Sequence, residues 1–223
     1  MISIQYEDSF LIVLSKPHGV SVHNEEPSLQ TWLKNNQKPI HFANRIDTDT
    51  SGLVLIAKSP DDQNKLQIAM SEGEKKYRAL LRTGWKLETT HFIWDQPLSD
   101  KAEGYRNPQG QKADLKPCLT IGEVVRTNKY FTEIICSIKT GRQHQIRKHS
   151  ALAHHPIVGD PRYNEKKYNQ NIFKIYNVNR MFLHSESLNF TFKNKDYKIK
   201  IKILTSIYFL NNLFRTNQTF NFI

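Results

Sequence analysis

The sequence predicts an α+β fold built around a mixed, largely antiparallel sheet. Many short segments alternate apolar and polar residues with the period of two that is typical of strands, and few show the 3.6-residue period of helices. A parallel dinucleotide-binding fold is excluded, because the chain lacks both the strand–helix–strand spacing and a glycine-rich phosphate loop. The 223 residues contain no internal repeat and no long linker, so we expect one domain over residues 1–223.

The first predicted elements are a hairpin, a short helix and a buried strand. Residues 2–6 and 10–16 read as two strands joined by a polar turn. Ser28 is suited to cap the short helix that follows, because its hydroxyl can accept a hydrogen bond from the first helical turn. Residues 53–58 are apolar on both faces, which is expected of a strand in the middle of a sheet.

The second helix has the strongest start signal in the chain. Ser59 can cap it, Pro60 occupies the first helical position, and two aspartates follow at the positive end of the helix dipole. We expect this helix to end near Gly73. Further strands are predicted at residues 76–82, 92–94, 119–126, 130–139, 182–192 and 197–203.

Two segments are predicted to lie at the surface. Residues 99–114 are polar and contain glycine and proline, which is typical of a loop. In the last strand, Lys198, Lys200 and Lys202 alternate with isoleucines, which predicts a basic outer face. Residues 205–223 predict an amphipathic C-terminal helix with a frayed end.

Composition restricts the classes of partner and compartment. Lys and Arg number 32 against 21 Asp and Glu, and the net charge of +11 favours a polyanionic partner. The longest apolar runs reach five residues, far short of the roughly 20 that a membrane-spanning helix needs. The N-terminus has no secretion signal, and Cys118 and Cys136 are isolated rather than paired in a CxxC motif. We therefore expect a cytoplasmic protein without membrane contact, disulfide framework or zinc ribbon.

Residues 44–52 form a polar loop that leads into the buried strand at residues 53–58. A carboxylate such as Asp47, held just before a buried strand, suits a nucleophile or a general base. The same residue types also occur in ordinary turns, so composition leaves both interpretations open.

Residues 75–79 place a tyrosine among cations at the start of a strand. Tyr77 could stack on a nucleobase and exchange a proton through its hydroxyl, with Lys75, Lys76 and Arg78 favouring its ionised form. An ordinary half-buried strand tyrosine is the alternative.

Residues 141–149 carry a glycine followed by a helical pattern rich in cations and amides, which indicates an anion site at a helix N-terminus. Residues 154–163 then read as a helix end and a tight turn. The histidines at 144, 149 and 154 are spaced by five residues rather than three or four, so we expect no metal site.

Taken in this order, the segments resemble the RluA family of RNA pseudouridine synthases. Residues 44–52 match the family's H-R-L-D-x-x-T-S-G motif, with Asn44 in place of the histidine, and residues 75–79 match K-x-Y-x-A. Residues 141–163 match G-R-x-H-Q-[LI]-R and the H-P-I-x-G-D-x-x-Y stretch that follows. Lys16-Pro17 is a weaker echo, and the resemblance covers about residues 6–192.

The resemblance implies the pseudouridine synthase fold with an active-site cleft. It also implies isomerisation of a uridine to pseudouridine in structured RNA, either tRNA or rRNA, with no cofactor and no nucleotide. The chain starts at the catalytic domain, so we expect no N-terminal S4-type RNA-binding domain, and a monomer is our default.

The family's motifs also imply roles for individual residues. Asp47 is expected to assist cleavage of the glycosidic bond, and Arg147 to pair with it. Tyr77 is expected to stack on the uracil and remove the C5 proton. Arg45 is expected to fill the gap left by the flipped base. The residues expected to contact RNA are Arg45, Lys75, Arg142, His144, Gln145 and Ile146.

Two other functions remain open from the sequence. One is a catalytically silent RNA-binding protein on the same fold. The other is a nucleic-acid glycosidase or nuclease, although a glycosidase needs two carboxylates about 5–10 Å apart and Asp49 is poorly placed to be the partner of Asp47. The RNA target and the exact chemical role of Asp47 are also left open.

Overall fold

A computed structural model describes residues 1–23, 25–86, 88–101 and 104–201. These residues form four α-helices: α1 (Leu29–Asn35), α2 (Pro60–Glu72), α3 (Gln145–Leu152) and α4 (Lys166–Tyr176). The strands are β1 (Ser3–Glu7), β2 (Leu11–Lys16), β3 (His41–Phe42), β4 (Ser51–Ala57), β5 (Glu74–Arg82), β6 (His91–Trp94), β7 (Leu98–Ser99), β8 (Leu115–Lys116), β9 (Thr120–Thr127), β10 (Phe131–Ile138), β11 (Leu183–Phe192) and β12 (Lys195–Lys200). The predicted α+β class is confirmed.

Ten of the strands form one mixed sheet with the order β1-β2-β4-β11-β5-β10-β9-β6, to which β3 and β12 add at β4 and β11. Among the described strands, β4 and β11 pair in parallel and the other pairs are antiparallel. Strands β7 and β8 form a separate two-stranded sheet. The sheet is therefore largely antiparallel, as predicted.

The core lies on both faces of the sheet. Side chains alternate along β2 and β4, so that one apolar cluster takes every second residue and packs against α1 while the other packs against α2. Strand β4 is buried along its whole length, which confirms the prediction of a central strand.

The predicted helix caps are present. The Ser28 hydroxyl accepts a hydrogen bond from the Thr31 amide at 3.1 Å, and the Ser59 hydroxyl accepts one from the Asp62 amide at 3.2 Å. Helix α2 ends before Gly73, as expected. These caps satisfy amides that have no partner within their own helix.

Helix α4 is an element that the sequence patterns did not predict. It buries Ile172, and Tyr168 and Tyr176 pack beside this residue against the same apolar cluster. A four-residue spacing is the signal that could have identified the helix.

The predicted surface loop at residues 99–114 needs a correction at its base. Ser99 lies in β7 and is completely buried, and its carbonyl accepts a hydrogen bond from the Lys148 ammonium at 2.6 Å. The predicted C-terminal helix at residues 205–223 and Lys202 lie outside the described residues. Within the described ranges, no helix is both long enough and apolar enough to cross a membrane.

Glycine at position 52 lets the loop before β4 approach β11. Its φ angle is +125°, and an added Cβ would lie 2.3 Å from the Ser185 carbonyl oxygen. Only glycine fits this close backbone crossing. The crossing brings the end of the polar loop beside β11 and β5.

Candidate active site

A cavity of about 980 Å³ opens where the loop before β4 meets β5 and the N-terminal end of α3. All the residues that the sequence predicted as catalytic or RNA-contacting line it, namely Arg45, Asp47, Lys75, Tyr77, Arg142, His144, Gln145, Ile146 and Arg147. These residues come from three separate segments of the chain. The fold therefore brings the three motifs to one place.

Asp47 and Arg147 form the centre of this cavity. The Arg147 Nη1 atom donates a hydrogen bond to the Asp47 Oδ2 atom at 3.1 Å, across 100 positions of the chain. The Arg147 side chain is 4% exposed and the Asp47 side chain 31% exposed, so the carboxylate is the partner that faces the cavity. This is the pairing that the resemblance implied.

A second carboxylate holds the other side of the Arg147 guanidinium. Asp160, which is completely buried, accepts hydrogen bonds from Arg147 Nε at 2.8 Å and from Arg147 Nη2 at 2.9 Å. Asp160 is not among the predicted site residues. The signal for it was its place in the matched G-D-x-x-Y stretch.

A buried lysine, Lys16, holds the loop that carries Asp47 through hydrogen bonds to backbone carbonyls. The Lys16 ammonium donates hydrogen bonds to the carbonyls of Pro17 (3.1 Å), Val20 (2.6 Å) and Thr48 (2.9 Å). Burial lowers the pKa of Lys16 to about 7, although the carboxylates of Asp47 and Asp49 oppose the change. Lys16 thus holds the backbone next to Asp47.

Asn44 fastens the beginning of the same loop. Its side-chain oxygen accepts a hydrogen bond from the Leu55 amide at 2.7 Å, and its side-chain nitrogen donates to the Leu53 carbonyl at 3.4 Å. The residue that departs from the family's motif therefore binds the loop to β4 and forms no hydrogen bond with Asp47 among the described residues.

Tyr77 lies on β5 and is 8% exposed. Burial and, after it, the charge of Asp47 raise the pKa of Tyr77 above its ordinary value. The expectation that neighbouring cations favour its ionised form is wrong. Arg78 points to the opposite face of the sheet, where it pairs with carboxylates, and the Lys75 ammonium donates to the Met70 carbonyl at 3.1 Å.

His144 caps the N-terminus of α3 in the left-handed conformation, with φ at 57°. Its Nδ1 atom lies 3.0 Å from the Tyr163 hydroxyl, and its Nε2 atom lies 3.8 Å from Asp47 Oδ2. Burial lowers the pKa of His144 to about 4, although the charge of Asp47 opposes this change, and the charge of Arg147 acts in the same direction as burial. The imidazole beside Asp47 is therefore neutral at pH 7 and forms no ion pair.

Gln145 and Ile146 serve the site differently. The Gln145 amide is engaged within the chain, since its oxygen accepts from Thr140 at 2.7 Å and its nitrogen donates to the Leu119 carbonyl at 2.9 Å. The Gln145 side chain therefore organises the loop, and its contact with RNA stays a prediction. Ile146 is 4% exposed and contributes an apolar wall.

The rim of the cavity carries cations without carboxylate partners. Within the part of the chain that the structure describes, Arg45, Arg142 and Arg162 form no ion pair, and the buried Arg142 Nε atom has no hydrogen-bond partner. Arg162 was not predicted. Unpaired arginines around a concave site favour a polyanionic ligand.

Two further histidines near α3, His149 and His155, contact other parts of the chain. His149 is completely buried and lies 2.9 Å from the Thr120 hydroxyl and 2.9 Å from the Gln96 carbonyl. His155 stacks on Trp85 with a centroid separation of 4.7 Å. Neither of them lines the cavity.

The family model for RNA pseudouridylate synthases matches residues 10–152 of this chain. The chain belongs to this family. As an RNA pseudouridine synthase, it is an isomerase.

Several curated relatives of this synthase are similar over most of its length. The ribosomal large subunit pseudouridine synthase C of Buchnera aphidicola from Schizaphis graminum is 31% identical over 95% of this chain and 69% of the relative. The Escherichia coli K12 protein of the same name is 31% identical over 84% of this chain, which spans 61% of that relative. The tRNA pseudouridine synthase C of Vibrio cholerae is 29% identical over 85% of each chain.

Solved structures share the synthase fold. The human RNA pseudouridylate synthase domain containing 4 aligns with a TM-score of 0.74 at 21% identity, covering 96% of this chain and 92% of that one. Human RNA pseudouridylate synthase domain containing 1 aligns with a TM-score of 0.72 at 20% identity, covering 99% and 97%. At these identities the likeness concerns the fold alone.

Proposed function

We propose that this synthase converts a specific uridine in structured ribosomal or transfer RNA to pseudouridine, with Asp47 acting at the glycosidic bond. The observation that carries the proposal is the Asp47 carboxylate, held by Arg147 at 3.1 Å and facing a cavity rimmed by unpaired arginines. The names of the relatives support both RNA classes. They do not distinguish between them for this chain.

The chemistry requires one bond to break and another to form at the same sugar carbon. The bond from uracil N1 to ribose C1′ breaks, the base turns, and a bond from C5 to C1′ replaces it. The proton lost from C5 is balanced by the proton gained at N1, so neither water nor electrons are consumed. Among the described residues, Asp47 Oδ1 has no hydrogen-bond partner, which leaves this oxygen for the substrate.

Tyr77 is the proposed acceptor of the C5 proton and the surface on which uracil stacks. Its phenol is a poor base in the resting protein, because burial and the Asp47 charge oppose ionisation. When Asp47 is esterified or protonated during the reaction, the second of these causes disappears. Tyr77 therefore becomes a stronger base late in the reaction, when C5 must lose its proton.

RNA binding in this proposal relies on the unpaired cations of the rim. A uridine stacked in folded RNA must be flipped out at a cost of a few kcal/mol. Arg45 is exposed beside Asp47 and is the proposed occupant of the vacated stack. Arg142 and Lys75 line the cavity and are the proposed phosphate contacts, with His144 and Ile146 against the flipped nucleotide.

The test is the conversion of uridine in ribosomal and transfer RNA transcripts by the protein and by Asp47→Asn. We expect pseudouridine with the unmodified protein and a loss of at least about 1000-fold with the variant, because Asp47 acts on the reacting bond. Asp61→Asn, on α2, is the matched control and should keep full activity. Undiminished conversion by Asp47→Asn, release of free uracil, or RNA binding without pseudouridine would each contradict the proposal.

A further inference from the structure

The turn before α4 contributes the buried carboxylate of Asp160, which contacts Arg147 but lies outside the predicted set of site residues. Asp160 is completely buried, and its Oδ1 atom accepts hydrogen bonds from the backbone amides of Arg162 at 2.8 Å and Tyr163 at 2.9 Å. Both carboxylate oxygens also accept from Arg147. Asp160 is therefore held rigidly by the backbone of its own turn while it binds the catalytic arginine.

The geometry of the guanidinium decides what this contact does. Asp160 occupies the Nε and Nη2 edge of Arg147 in a bidentate pair, at 2.8 and 2.9 Å, and this leaves Nη1 to reach Asp47 at 3.1 Å. A bidentate pair fixes the plane and direction of a guanidinium more strictly than a single hydrogen bond does. The guanidinium carbon of Arg147 also lies over the Tyr163 ring, 5.3 Å from its centroid, and this contact restricts movement of the guanidinium out of its plane.

We propose that Asp160 is a positioning residue for the isomerisation, which acts by directing Arg147 so that a single nitrogen reaches Asp47. The inference rests on the proposed function and deepens it. Without Asp160, the Arg147 fork is free to pair side-on with Asp47 and to engage both of its oxygens. The presence of Asp160 keeps Asp47 Oδ1 available to the substrate.

Charge supports the same role. Arg147 carries the only positive charge that the structure places in hydrogen-bond contact with Asp47 among the described residues, and Asp160 shares that charge. The other groups around Asp47 are the neutral His144, Tyr77 on β5 and Lys16 below the loop. Removal of the Asp160 charge therefore strengthens the hold of Arg147 on Asp47, and a more tightly held carboxylate is a weaker nucleophile or base.

A purely structural role for Asp160 is the competing explanation, and the chain offers a matched control for it. Asn169 on α4 braces the same turn, because its side chain donates to the Asp160 carbonyl at 2.8 Å and accepts from the Gly159 amide at 3.2 Å. Asn169→Ala loosens the turn but leaves the Asp160 carboxylate and its contact with Arg147 in place. The two variants therefore separate positioning from bracing.

The first measurement compares Asp160→Asn with Asn169→Ala for the single-turnover rate at saturating RNA and for the RNA dissociation constant. We expect Asp160→Asn to lower the rate by about 100-fold, the cost of a small misplacement of a catalytic group, with the dissociation constant changed by less than about threefold. Asn169→Ala is expected to keep the rate within about threefold. An unchanged rate in Asp160→Asn, or an equal loss in Asn169→Ala, overturns the proposal.

The second measurement is a double-variant cycle with Arg147→Ala. If Asp160 acts through Arg147, the double variant is no slower than Arg147→Ala alone, because residues that act as a unit are not additive. Additive losses overturn the proposal. If Asp160→Asn does not fold, Asp160→Glu takes its place, because it keeps the charge and moves the acceptor oxygens by one methylene. A rate of Asp160→Glu equal to that of the unchanged protein then refutes the proposal.

Failure of the inference and failure of the proposed function give different results. If the unchanged protein forms no pseudouridine in any RNA offered, the proposed function is wrong. If it forms pseudouridine and Asp47→Asn does not, the function stands, and full activity of Asp160→Asn then contradicts the role of Asp160 alone.

Discussion

Replacement of Lys16 by methionine tests how the loop that carries Asp47 is held. The Lys16 side chain is almost completely buried, and its ammonium contacts three carbonyls, one of which is that of Thr48 next to Asp47. Methionine preserves the length and apolar stem of lysine but removes the charge and the hydrogen bonds. We expect Lys16→Met to lower the rate of pseudouridine formation, because the backbone on one side of Asp47 loses its support.

The effect on the free energy of unfolding follows from two opposing contributions. Burial moves the pKa of Lys16 from the ordinary value of 10.5 to about 7, which corresponds to an upper limit of about 5 kcal/mol against the charged form. Three hydrogen bonds from an ammonium contribute about 1.5–3 kcal/mol each in the stabilising direction. The two sums are similar, so Lys16→Met is expected to change stability by no more than about 4 kcal/mol below pH 7.

The pH dependence gives the sharper test. Above pH 7 the folded state releases the Lys16 proton while the unfolded state keeps it up to about pH 10.5, so the unfolded state binds more protons and the contribution of Lys16 to stability rises with pH. The free energy of unfolding, measured with denaturant, should therefore rise in the unchanged protein relative to Lys16→Met. The expected rise is up to about 1.4 kcal/mol per pH unit above pH 7. Lys58→Met, which removes a lysine paired with Glu7 at the surface, is the control for the loss of a lysine outside the core. A difference between the unchanged protein and Lys16→Met that is independent of pH from 6 to 9.5 would refute the reasoning.

Three further predictions follow from single contacts. Gly52→Ala should lower the melting temperature strongly, since its Cβ would lie 2.3 Å from a carbonyl oxygen, whereas Gly141→Ala meets no atom within 4 Å and should be nearly neutral in a thermal melt. Arg162→Ala should weaken RNA binding and reduce the slope of log affinity against log salt by about one, as measured by salt titration; an unchanged slope contradicts a phosphate contact. The pKa of His184 is lowered to about 3 by burial, so its contribution to stability should be lost as pH falls from 6.5 towards 3, and His184→Asn should flatten that decline in acid unfolding.

Much of the fold could be predicted because local signals and burial agree. Helix α2 carries a capping serine, a proline at its first position and a terminal glycine, and the structure contains a helix with these boundaries. Strand β4 was predicted as central because it has no polar face, and it is buried along its whole length. Helix α4 was missed because two of the three residues that it packs at four-residue spacing are tyrosines, Tyr168 and Tyr176, and tyrosine occurs both in cores and at surfaces.

The site could be predicted as a set of motifs but not as a set of contacts. The pair between Asp47 and Arg147 joins positions 100 residues apart, and only the family resemblance indicated it. Gln145 was named as an RNA contact through its place in the G-R-x-H-Q-[LI]-R motif, and the motif could not show that its amide bonds to Thr140 and Leu119. The cations beside Tyr77 were expected to favour its ionised form because they lie near it in sequence. A strand directs successive side chains to opposite faces, so Lys76 and Arg78 point away from Tyr77, and the ammonium of Lys75 on the same face donates to the Met70 carbonyl.

The arginines on the two faces of the sheet differ in their carboxylate partners. On the opposite face of the sheet, buried Glu133 pairs with both Arg78 and Arg126, and Glu186 pairs with Arg78 again. Around the rim of the cavity, by contrast, the arginines have no carboxylate within 4.0 Å among the described residues. Asp47 and Asp160 at the centre both pair with Arg147, and neither forms an ion pair with an arginine of the rim. Phosphates of a bound RNA would supply the missing negative charge, and the catalytic carboxylate would keep its single arginine contact while they do so.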